Sequence, residues 1–297
     1  GKKGYGMQKR AYLLIAAGAV LWGTIGIFVR GLYGFGFSPL QVVTLRVFSA
    51  AVIMLIYLLF TRPKLLKIKV RDSLYFVGTG IFSLAFFNLC YFSTIRETSI
   101  AIAVTLLYTA PAFVAVLSRV FFRESLGAKK LCSLGLTLVG CAFVTGYLPG
   151  LGDSLSISWS GILTGLGAGF GYALYSIFGK AALKKYHTMT IAAYTFIFAS
   201  LALLPFSNFE NSVGAFSTGN FWIYLAGLGF FPTVLAYLLY TKGLEEVESS
   251  RASIVATVEP VVATLTGFFF FREMLSGWQL TGILLVLAAV ILIQERK

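Results

Sequence analysis

Residues 256–275 read ATVEPVVATLTGFFFFREML, an apolar run that carries a glutamate, Glu259, directly before Pro260. A helix rises 1.5 Å per residue, so Glu259, about ten residues into its span, would lie about 15 Å below the membrane surface. An ionised carboxylate that faces lipid at this depth costs at least about 2.5 kcal/mol. We therefore expect Glu259 to face protein, water or a charged partner.

The composition of the whole chain places this run in a membrane protein. Of the 297 residues, 58% are hydrophobic and 12% are charged, and the mean hydropathy is +0.86. Soluble domains carry about 25% charged residues, and roughly 20 apolar residues suffice for a helix to cross a ~30 Å hydrocarbon core. We predict an all-α membrane protein with short connections and no soluble domain. Its ten transmembrane helices are predicted at 11–32, 39–60, 73–95, 99–121, 130–148, 159–180, 188–206, 220–241, 250–270 and 277–294.

The N-terminal residues 1–6, GKKGYG before Met7, are interpreted as a remnant of cloning and carry no functional argument. The apolar run that follows is as long as a full span and precedes nine more. We therefore expect a retained helix and not a cleaved signal peptide.

Little in the sequence supports an enzyme, a metal site or a bound cofactor. Cys90, Cys132 and Cys141 fall within predicted spans without CxxC or Cys/His spacing, and we interpret them as packed thiols. The sequence contains no hydrolase, metalloprotease or nucleotide-binding motif in a position where the motif could work. The lone histidine, His187, lies beside lysines at a helix end. We predict no enzymatic activity, no metal and no cofactor.

The net charge of +13 is distributed unevenly across the predicted membrane. With the N-terminus inside, only Arg30, Arg96 and Arg272 lie at the outer face. This asymmetry follows the positive-inside rule and predicts a plasma (inner) membrane protein with cytoplasmic N- and C-termini. A folded basic platform is missing, so we expect no nucleic-acid partner. The inner face collects Lys9, Arg10, Arg62, Lys64, Lys67, Lys69, Arg71, Arg119, Arg123, Lys129, Lys130, Lys180, Lys184, Lys185, Lys242, Arg251, Arg296 and Lys297.

The two halves of the chain are similar in sequence. We predict a duplication, with a first repeat at 7–148 and a second at 149–297. A shift of 149 or 150 residues pairs Pro111 with Pro260, Phe122-Arg123-Glu124 with Phe271-Arg272-Glu273, and Trp22 with Tyr172.

Five spans in each repeat force the second copy to enter the membrane from the opposite side, as in many secondary transporters. Charge supports this inversion, because the connection at 61–72 carries five basic residues while its counterpart at 207–219 carries none and has Glu210. A site between two inverted halves can be exposed first to one side of the membrane and then to the other. We predict alternating access.

Four segments carry a resemblance to a known family. They are SRASIVATVEPVVATLTGFFFFREML at 250–275, its copy TSIAIAVTLLYTAPAFVAVLSRVFFRESL at 98–126, LWGTIGIFVR at 21–30, and VVTLRVFSAA at 42–51 with its arginine. With these segments the chain resembles the EamA-type branch of the drug/metabolite transporter superfamily from about residue 11 to 293. The resemblance implies a central cavity between the first four helices of each repeat, with the fifth helix at the periphery. Members move amino acids, other metabolites, sugars or toxic cations, so the resemblance leaves the substrate open.

Three roles are open for Glu259. Its carboxylate would carry a proton coupled to solute movement, hold a cationic group of the solute, or pair with a buried base. Arg46 is a feasible base, because it follows Pro39 by seven residues and would lie about 10 Å below the outer surface. Its planar guanidinium would equally suit a solute carboxylate. Snorkelling to the interface and packing against a helix end are further alternatives.

Polar and aromatic residues recur on single helical faces, as Thr233, Tyr237 and Tyr240 do at i, i+4 and i+7. Facing one another, such stripes would enclose an apolar cavity with a few hydroxyl and amide groups, which suits a small amphipathic solute. Lipid contact, core packing and interface anchoring are the alternatives. The predicted substrate-binding residues are Trp22, Arg46, Asn88, Tyr91, Tyr108, Tyr172, Tyr175, Tyr237, Tyr240 and Glu259, with Glu259 also the proton-coupling candidate.

Three prolines, Pro111, Pro232 and Pro260, lie within predicted spans. Each removes a backbone hydrogen bond and opposes a straight helix, so we expect bends that act as hinges or as static kinks.

These features favour a secondary active transporter that moves a small organic solute by alternating access. An amino acid or related metabolite is the first expectation, with export as the favoured direction, because Arg46 and Glu259 would meet opposite ends of a zwitterion. A transporter of toxic organic cations or drugs is the alternative, and a passive channel or membrane scaffold is the alternative of another class. The expected partners are the solute and the lipid bilayer, and the protein is expected to be a monomer or homodimer.

Overall fold

The computed structural model describes residues 2–146 and 158–294. The predicted repeat boundary at 148/149 and the last residues, 295–297, lie outside the described residues. Ten long helical segments are labelled in chain order. They are α1 (Gly6–Tyr33), α2 (Pro39–Thr61), α3 (Val70–Glu97), α4 (Ile100–Phe122), α5 (Ala128–Val144), α6 (Trp159–Ala182), α7 (Thr188–Phe206), α8 (Gly219–Leu244), α9 (Ser249–Phe271) and α10 (Gly277–Gln294).

Within 2–146 and 158–294, nine of these segments are long and apolar enough to cross a membrane. The remaining segment, α5, has 17 residues. The predicted class, an all-helical integral membrane protein, is confirmed, while the tenth span stays a prediction.

The bundle is apolar on its outside and carries polar groups inside. Phe269, Ile223 and Leu284 expose 72%, 70% and 69% of their surfaces. In contrast, the hydroxyls of Thr79 and Thr195 are fully buried and lie 2.7 Å apart across α3 and α7. Lipid tails can cover the apolar exterior, whereas the interior hydroxyls need partners within the protein.

The first and eighth segments, α1 and α8, pack antiparallel, with Gly18 against Ala236 and Tyr240 and Gly243 against Ala11. The bundle therefore has two faces. We call the face where α1 begins the N face, and the other the opposite face.

At the N face, the Thr190 hydroxyl at the start of α7 donates to the carbonyl of Leu65, just after α2, at 2.7 Å. At the opposite face, the Gln41 amide near the start of α2 donates to the carbonyl of Asn208, just after α7. These bonds tie the two halves together at both faces.

Serine and glutamine define two helix starts at the opposite face. Ser38 and Gln41 form a capping box at α2, with bonds of 2.8 and 3.2 Å between each side chain and the other's amide. Ser276 and Gln279 make the same two bonds at α10, at 3.0 and 3.2 Å. Such pairs satisfy amides that have no partner within their helix.

The fourth helical segment of each half is broken at the same place. In α4, helix Ile100–Leu107 ends before Tyr108 and a new helix begins at Ala110, next to Pro111. In α9, helix Ser249–Val255 is followed by helix Val258–Phe271, which contains Pro260. Both breaks lie directly N-terminal to the proline, because proline fits the first turn of a helix and not its interior.

The third segment of each half contains one π-helical stretch. These stretches are Val77–Ala85 in α3 and Phe230–Leu235 in α8. In the second of these stretches the Thr233 hydroxyl donates to the carbonyl of Leu228 at 2.7 Å. The amide of Ala236 bonds to the carbonyls of Phe231 and Thr233 rather than to that of Pro232. Such local changes in pairing are frequent at functional sites.

The fifth segments, α5 and α10, pack closely against each other. A Cβ atom added to Gly140 would collide with Val286 and the backbone of Gly282. Near the opposite face, the rings of Phe143 and Trp278 lie 5.2 Å apart. Small residues permit this backbone approach, as in other membrane helix pairs.

A partly buried ion network joins four helical segments at the N face. Lys130 at the start of α5 lies 2.9 Å from Glu248 and 3.8 Å from Glu124, and it is 4% exposed. Arg251 in α9 lies 2.9 Å from Glu248 and also donates to the carbonyl of Ile293 in α10 at 2.9 Å. Partial burial by itself raises the pKa of Glu248, but the hydrogen bonds from Lys130 and Arg251 outweigh it and hold that pKa below its usual value.

Candidate functional site

An enclosed cavity of about 20 Å³ lies at the centre of the bundle, with room for about one water molecule. Aromatic rings and a few hydroxyl groups form its wall. Five predicted substrate-binding residues are among them. The lining residues are Trp22, Ser83, Leu84, Phe87, Val114, Tyr172, Ala173, Tyr175, Ser176, Tyr237, Tyr240, Ser253 and Ala256.

Four of the aromatic rings form one packed cluster. The ring centroid of Tyr237 lies 5.0 Å from that of Trp22 and 5.1 Å from that of Tyr175, in edge-to-face contacts. Tyr240 lies 5.1 Å from Trp22. Such contacts are favourable beyond the area they bury, so the cluster stabilises this part of the cavity wall.

Hydroxyl pairs fix the orientation of two of these tyrosines. The Tyr175 hydroxyl lies 2.5 Å from that of Thr241, and the Tyr240 hydroxyl lies 2.5 Å from that of Ser176. The hydroxyl groups of both tyrosines are therefore satisfied by partners within the protein.

Two polar atoms of the cavity wall lack such partners. Trp22 Nε1 and Ser83 Oγ have no hydrogen-bond partner within the described part of the chain. Trp22 is 6% exposed and Ser83 is fully buried, and both line the cavity. A buried donor without a partner costs roughly 1–3 kcal/mol, so each of these atoms favours binding of a water or of a polar solute group in the cavity.

Glu259 lies beside the cavity at the break in α9. Its carboxylate accepts a hydrogen bond of 2.8 Å from the hydroxyl of Tyr172, which lines the cavity. Tyr108, at the break in α4, also faces the carboxylate. Glu259 is half-buried and forms no ion pair with any residue in 2–146 or 158–294.

Arg46 reaches the cavity wall from α2 and is held by neutral groups of α8. Its Nε donates to the Thr233 hydroxyl and its Nη2 to the Pro232 carbonyl, both at 2.7 Å. The guanidinium carbon lies 6.0 Å from the ring centroid of Tyr237. The described residues give Arg46 no carboxylate partner within 4.0 Å, so part of its donor fork is available to a ligand.

A second, open cleft of about 440 Å³ lies towards the opposite face, between α4, α5, α9 and α10. Tyr108 and Pro260 line it close to Glu259, so this cleft approaches the carboxylate from the opposite face. The lining residues are Ile100, Ala101, Val104, Tyr108, Val144, Thr145, Pro260, Ala263, Thr264, Glu273, Met274, Leu275 and Gln279.

Two predicted site residues lie elsewhere. The side-chain amide of Asn88 donates to the carbonyl of Leu84 at 2.7 Å, one turn earlier in its own helix. The ring of Tyr91 packs 5.6 Å from that of Phe92, and neither Asn88 nor Tyr91 lines the enclosed cavity or the open cleft. A role for them in binding stays a prediction.

Ser83 was missed as a site residue, and so was the partnership of Thr233 with Arg46. Ser83 carries one weak signal in the sequence, since a shift of 149 places it on Pro232. A serine within a long apolar span is otherwise unremarkable, because its hydroxyl can bond within its own helix.

The fold and this site define a polytopic membrane protein with polar groups gathered at its centre. The sequence profile of the EamA-like transporter family matches this chain twice, at residues 9–146 and 159–294. The chain belongs to the EamA-like transporter family. It is a membrane transporter of a small-molecule solute and not an enzyme.

Relatives along nearly the whole chain carry transporter names. An uncharacterized transporter of Archaeoglobus fulgidus is 33% identical over 279 residues, covering 94% of each chain. The uncharacterized transporter YxxF of Bacillus subtilis is 28% identical and covers 98% of this chain and 91% of its own. The uncharacterized inner membrane transporter YicL of Salmonella typhimurium is 25% identical and covers 97% and 96%.

A solved structure shares the fold. It is titled a crystal structure of a protein, superposes with a TM-score of 0.79 at 19% identity, and covers 95% of both chains. At this identity the likeness concerns the fold alone.

Proposed function

We propose that this transporter is a secondary active transporter that moves an amino acid or a related zwitterionic metabolite by alternating access. One observation carries the proposal. Arg46 and Glu259 reach the same cavity wall through Tyr237 and Tyr172, and each charge is held by neutral groups instead of by the other. A cation and an anion kept apart in this way can bind the two ends of a zwitterion.

Ten spans in two inverted repeats are part of this proposal. The two profile matches, the paired helix breaks and the paired π-helical stretches support a duplicated unit. In it, α5 is the tenth span, because it packs along α10, which is itself long enough to cross a membrane. The repeats comprise 7–148 and 149–297.

The position of Glu259 supports a role in proton coupling. The carboxylate lies between the enclosed cavity and the open cleft, bonded to a tyrosine that has no charge of its own. Exchange of a proton there would change the charge that a solute ammonium meets.

Pro111 and Pro260 would serve as hinges, since the helices on both sides of each break can move separately.

We place the N face in the cytoplasm, with both termini, because most basic connections lie there. Plasma (inner) membrane localisation draws on the same bias and on the printed name of the relative YicL. Export is then movement from the N face to the opposite face.

Thermal-shift measurements on purified protein with single amino acids, their amides and their decarboxylated amines test the substrate class. A bound amino acid should raise the unfolding temperature by mass action. The amide of the same amino acid should raise it less, because it has no carboxylate for Arg46 to bind. The matching flux assay uses proteoliposomes with an imposed pH gradient. Glu259→Gln should abolish uphill accumulation of the stabilising amino acid. Uphill, pH-driven transport by Glu259→Gln would rule out proton coupling at this residue, and stabilisation by amines alone would favour a transporter of organic cations.

A further inference from the structure

The Arg-Glu pairs that end α4 and α9 have the same backbone geometry. Arg123 and Arg272 both adopt the left-handed conformation, with φ of 56° and 54°. The amide of the glutamate that follows each of them bonds to the carbonyl six residues earlier, at 3.3 and 3.1 Å. The backbone therefore offers Glu124 and Glu273 the same local position, at the N face and at the opposite face respectively.

Glu124 joins the end of α4 to the start of α9 at the N face. Its carboxylate accepts bonds from the amides of Ser249 and Ser250 at 2.7 and 3.2 Å and from the Ser250 hydroxyl at 2.5 Å. Only 7% of Glu124 is exposed, and Lys130 lies 3.8 Å away. The end of α4 is thus fastened to the start of α9 by a buried, charge-assisted contact.

Glu273 makes no such contact at the opposite face. Its side chain is 53% exposed and pairs with Arg30 at the end of α1, whose side chain is 49% exposed. The shift of 149 places Ser249 and Ser250 on Ile100 and Ala101. These two residues and Glu273 line the open cleft instead of contacting one another through hydrogen bonds.

We propose that Glu124 and Glu273 are alternate gate residues of the transport cycle, an inference that rests on the proposed alternating access. In the state described here, Glu124 holds the N face shut and Glu273 leaves the opposite face open. In the other state Glu273 binds the amides of Ile100 and Ala101, and Glu124 leaves Ser249 and Ser250. The two contacts exclude each other because each closes one end of the same central pathway.

The proposal also assigns a basic partner to each glutamate when its face is open. The shift of 150 places Arg30 on Lys180, near the end of α6 at the N face. Lys180 now donates to the carbonyls of Leu244 and Val247 at 2.7 and 2.8 Å. In the other state Lys180 takes Glu124 as its partner, just as Arg30 now pairs with Glu273.

Cysteine labelling of the purified full chain in lipid nanodiscs tests the gates, because both faces are accessible there. Cys90, Cys132 and Cys141 are first replaced by alanine. Ser253→Cys then reports on the enclosed cavity below the Glu124 contact, and Thr264→Cys on the open cleft. The readout is the rate of reaction with a membrane-impermeant thiol reagent.

Glu124→Gln should raise the labelling rate of Ser253→Cys by about ten-fold or more and lower that of Thr264→Cys. This is the effect of a ten-fold shift in the equilibrium between the two gate states. Glu273→Gln should not raise the Ser253→Cys rate, because the exposed pair with Arg30 that it removes contributes little. The double variant should return towards the parent rates. Equal increases for both single variants, or an unchanged Ser253→Cys rate in Glu124→Gln, would overturn the proposal.

Ser250→Ala is a second variant in case Glu124→Gln does not fold. It removes the hydroxyl that bonds to Glu124 and leaves an alanine, the residue found at the matching position of the opposite face, Ala101. It should shift both labelling rates in the same directions as Glu124→Gln, by a smaller factor, and no shift would count against the gate. The labelling needs no substrate, so it separates two failures. If the labelling rates change in opposite directions but no amino acid is transported, the gate proposal stands and the proposed substrate is wrong. If amino acid flux saturates but the labelling rates do not change, the gate proposal is wrong and the transport proposal stands.

Discussion

The hydroxyl of Tyr172 donates a hydrogen bond of 2.8 Å to the carboxylate of Glu259 in the middle of the bundle. The tyrosine lines the enclosed cavity. A neutral aromatic residue therefore stands between the cavity and Glu259, the intramembrane acid singled out in the sequence. This contact joins the cavity wall directly to the carboxylate, and under the proposed mechanism it would couple solute binding in the cavity to protonation of Glu259.

Tyr172→Phe should weaken this coupling. The loss of one buried hydrogen bond is expected to reduce stability by about 1 kcal/mol and to lower pH-driven uptake, although less than Glu259→Gln does, because Tyr108 also faces the carboxylate. Tyr175→Phe is the matched control, since its hydroxyl pairs with Thr241. Uptake by both variants in proteoliposomes decides the matter. Equal losses in uptake would mean that the Tyr172 hydroxyl acts only on stability.

Arg46→Lys should impair recognition of a solute carboxylate. A lysine ammonium cannot reproduce the planar fork that bonds to Thr233 and Pro232 while presenting further donors. We expect the amino acid that stabilises the parent to lose affinity by about ten-fold or more, or about 1.4 kcal/mol, while its decarboxylated amine loses little. Thr233→Val removes one of the two bonds that orient Arg46 and should change the ratio of the two affinities less than Arg46→Lys does. If Arg46→Lys leaves this ratio unchanged, Arg46 is a structural residue.

The Glu248 pair should make stability depend on pH. Because the folded-state pKa of Glu248 lies below its usual value, the stabilisation is complete above about pH 4.3 and is lost as the pH falls through the folded-state pKa. The carboxylate is partly exposed, so we expect at most about 1 kcal/mol. Thermal unfolding in detergent between pH 6 and pH 3 should show a smaller acid sensitivity for Glu248→Gln. The exposed Glu246→Gln should behave like the parent, and identical profiles for all three proteins would contradict the assignment.

Gly140→Ala should separate α5 from α10. The new methyl group would meet Val286 and the backbone of Gly282, so a loss of about 1–3 kcal/mol is expected. Gly135 lies on the exposed side of the same helix, where an added Cβ meets nothing within 4 Å. Gly135→Ala should therefore be neutral or stabilising by up to about 1 kcal/mol. A comparison of unfolding temperatures checks both, and equal temperatures for the two variants would exclude close packing at Gly140.

The sequence predicts much of the fold, because apolar length and duplication are properties of the chain alone. The apolar run around Glu259 and its copy around Pro111 predict a membrane bundle, and the family profile matches both halves. The helix breaks lie beside Pro111 and Pro260 since backbone chemistry there is local.

The site could be predicted only in part, because helix neighbours decide which side chains meet. Trp22, Tyr172 and Tyr237 do line one cavity, as their helical stripes suggest. The partners of Arg46 come from a π-helical stretch of another segment, and no pattern within α2 reveals them. Asn88 satisfies its amide within its own helix, a choice that a polar residue in an apolar span can always make.

Counterflow in proteoliposomes tests the central claim, transport by alternating access, most directly. Vesicles loaded with an excess of the unlabelled amino acid that stabilises the protein are diluted into a trace of labelled amino acid. The account predicts a transient accumulation of label above its equilibrium level, at a rate that saturates with concentration. A monotonic, non-saturating approach to equilibrium would show a passive channel instead and would contradict the account.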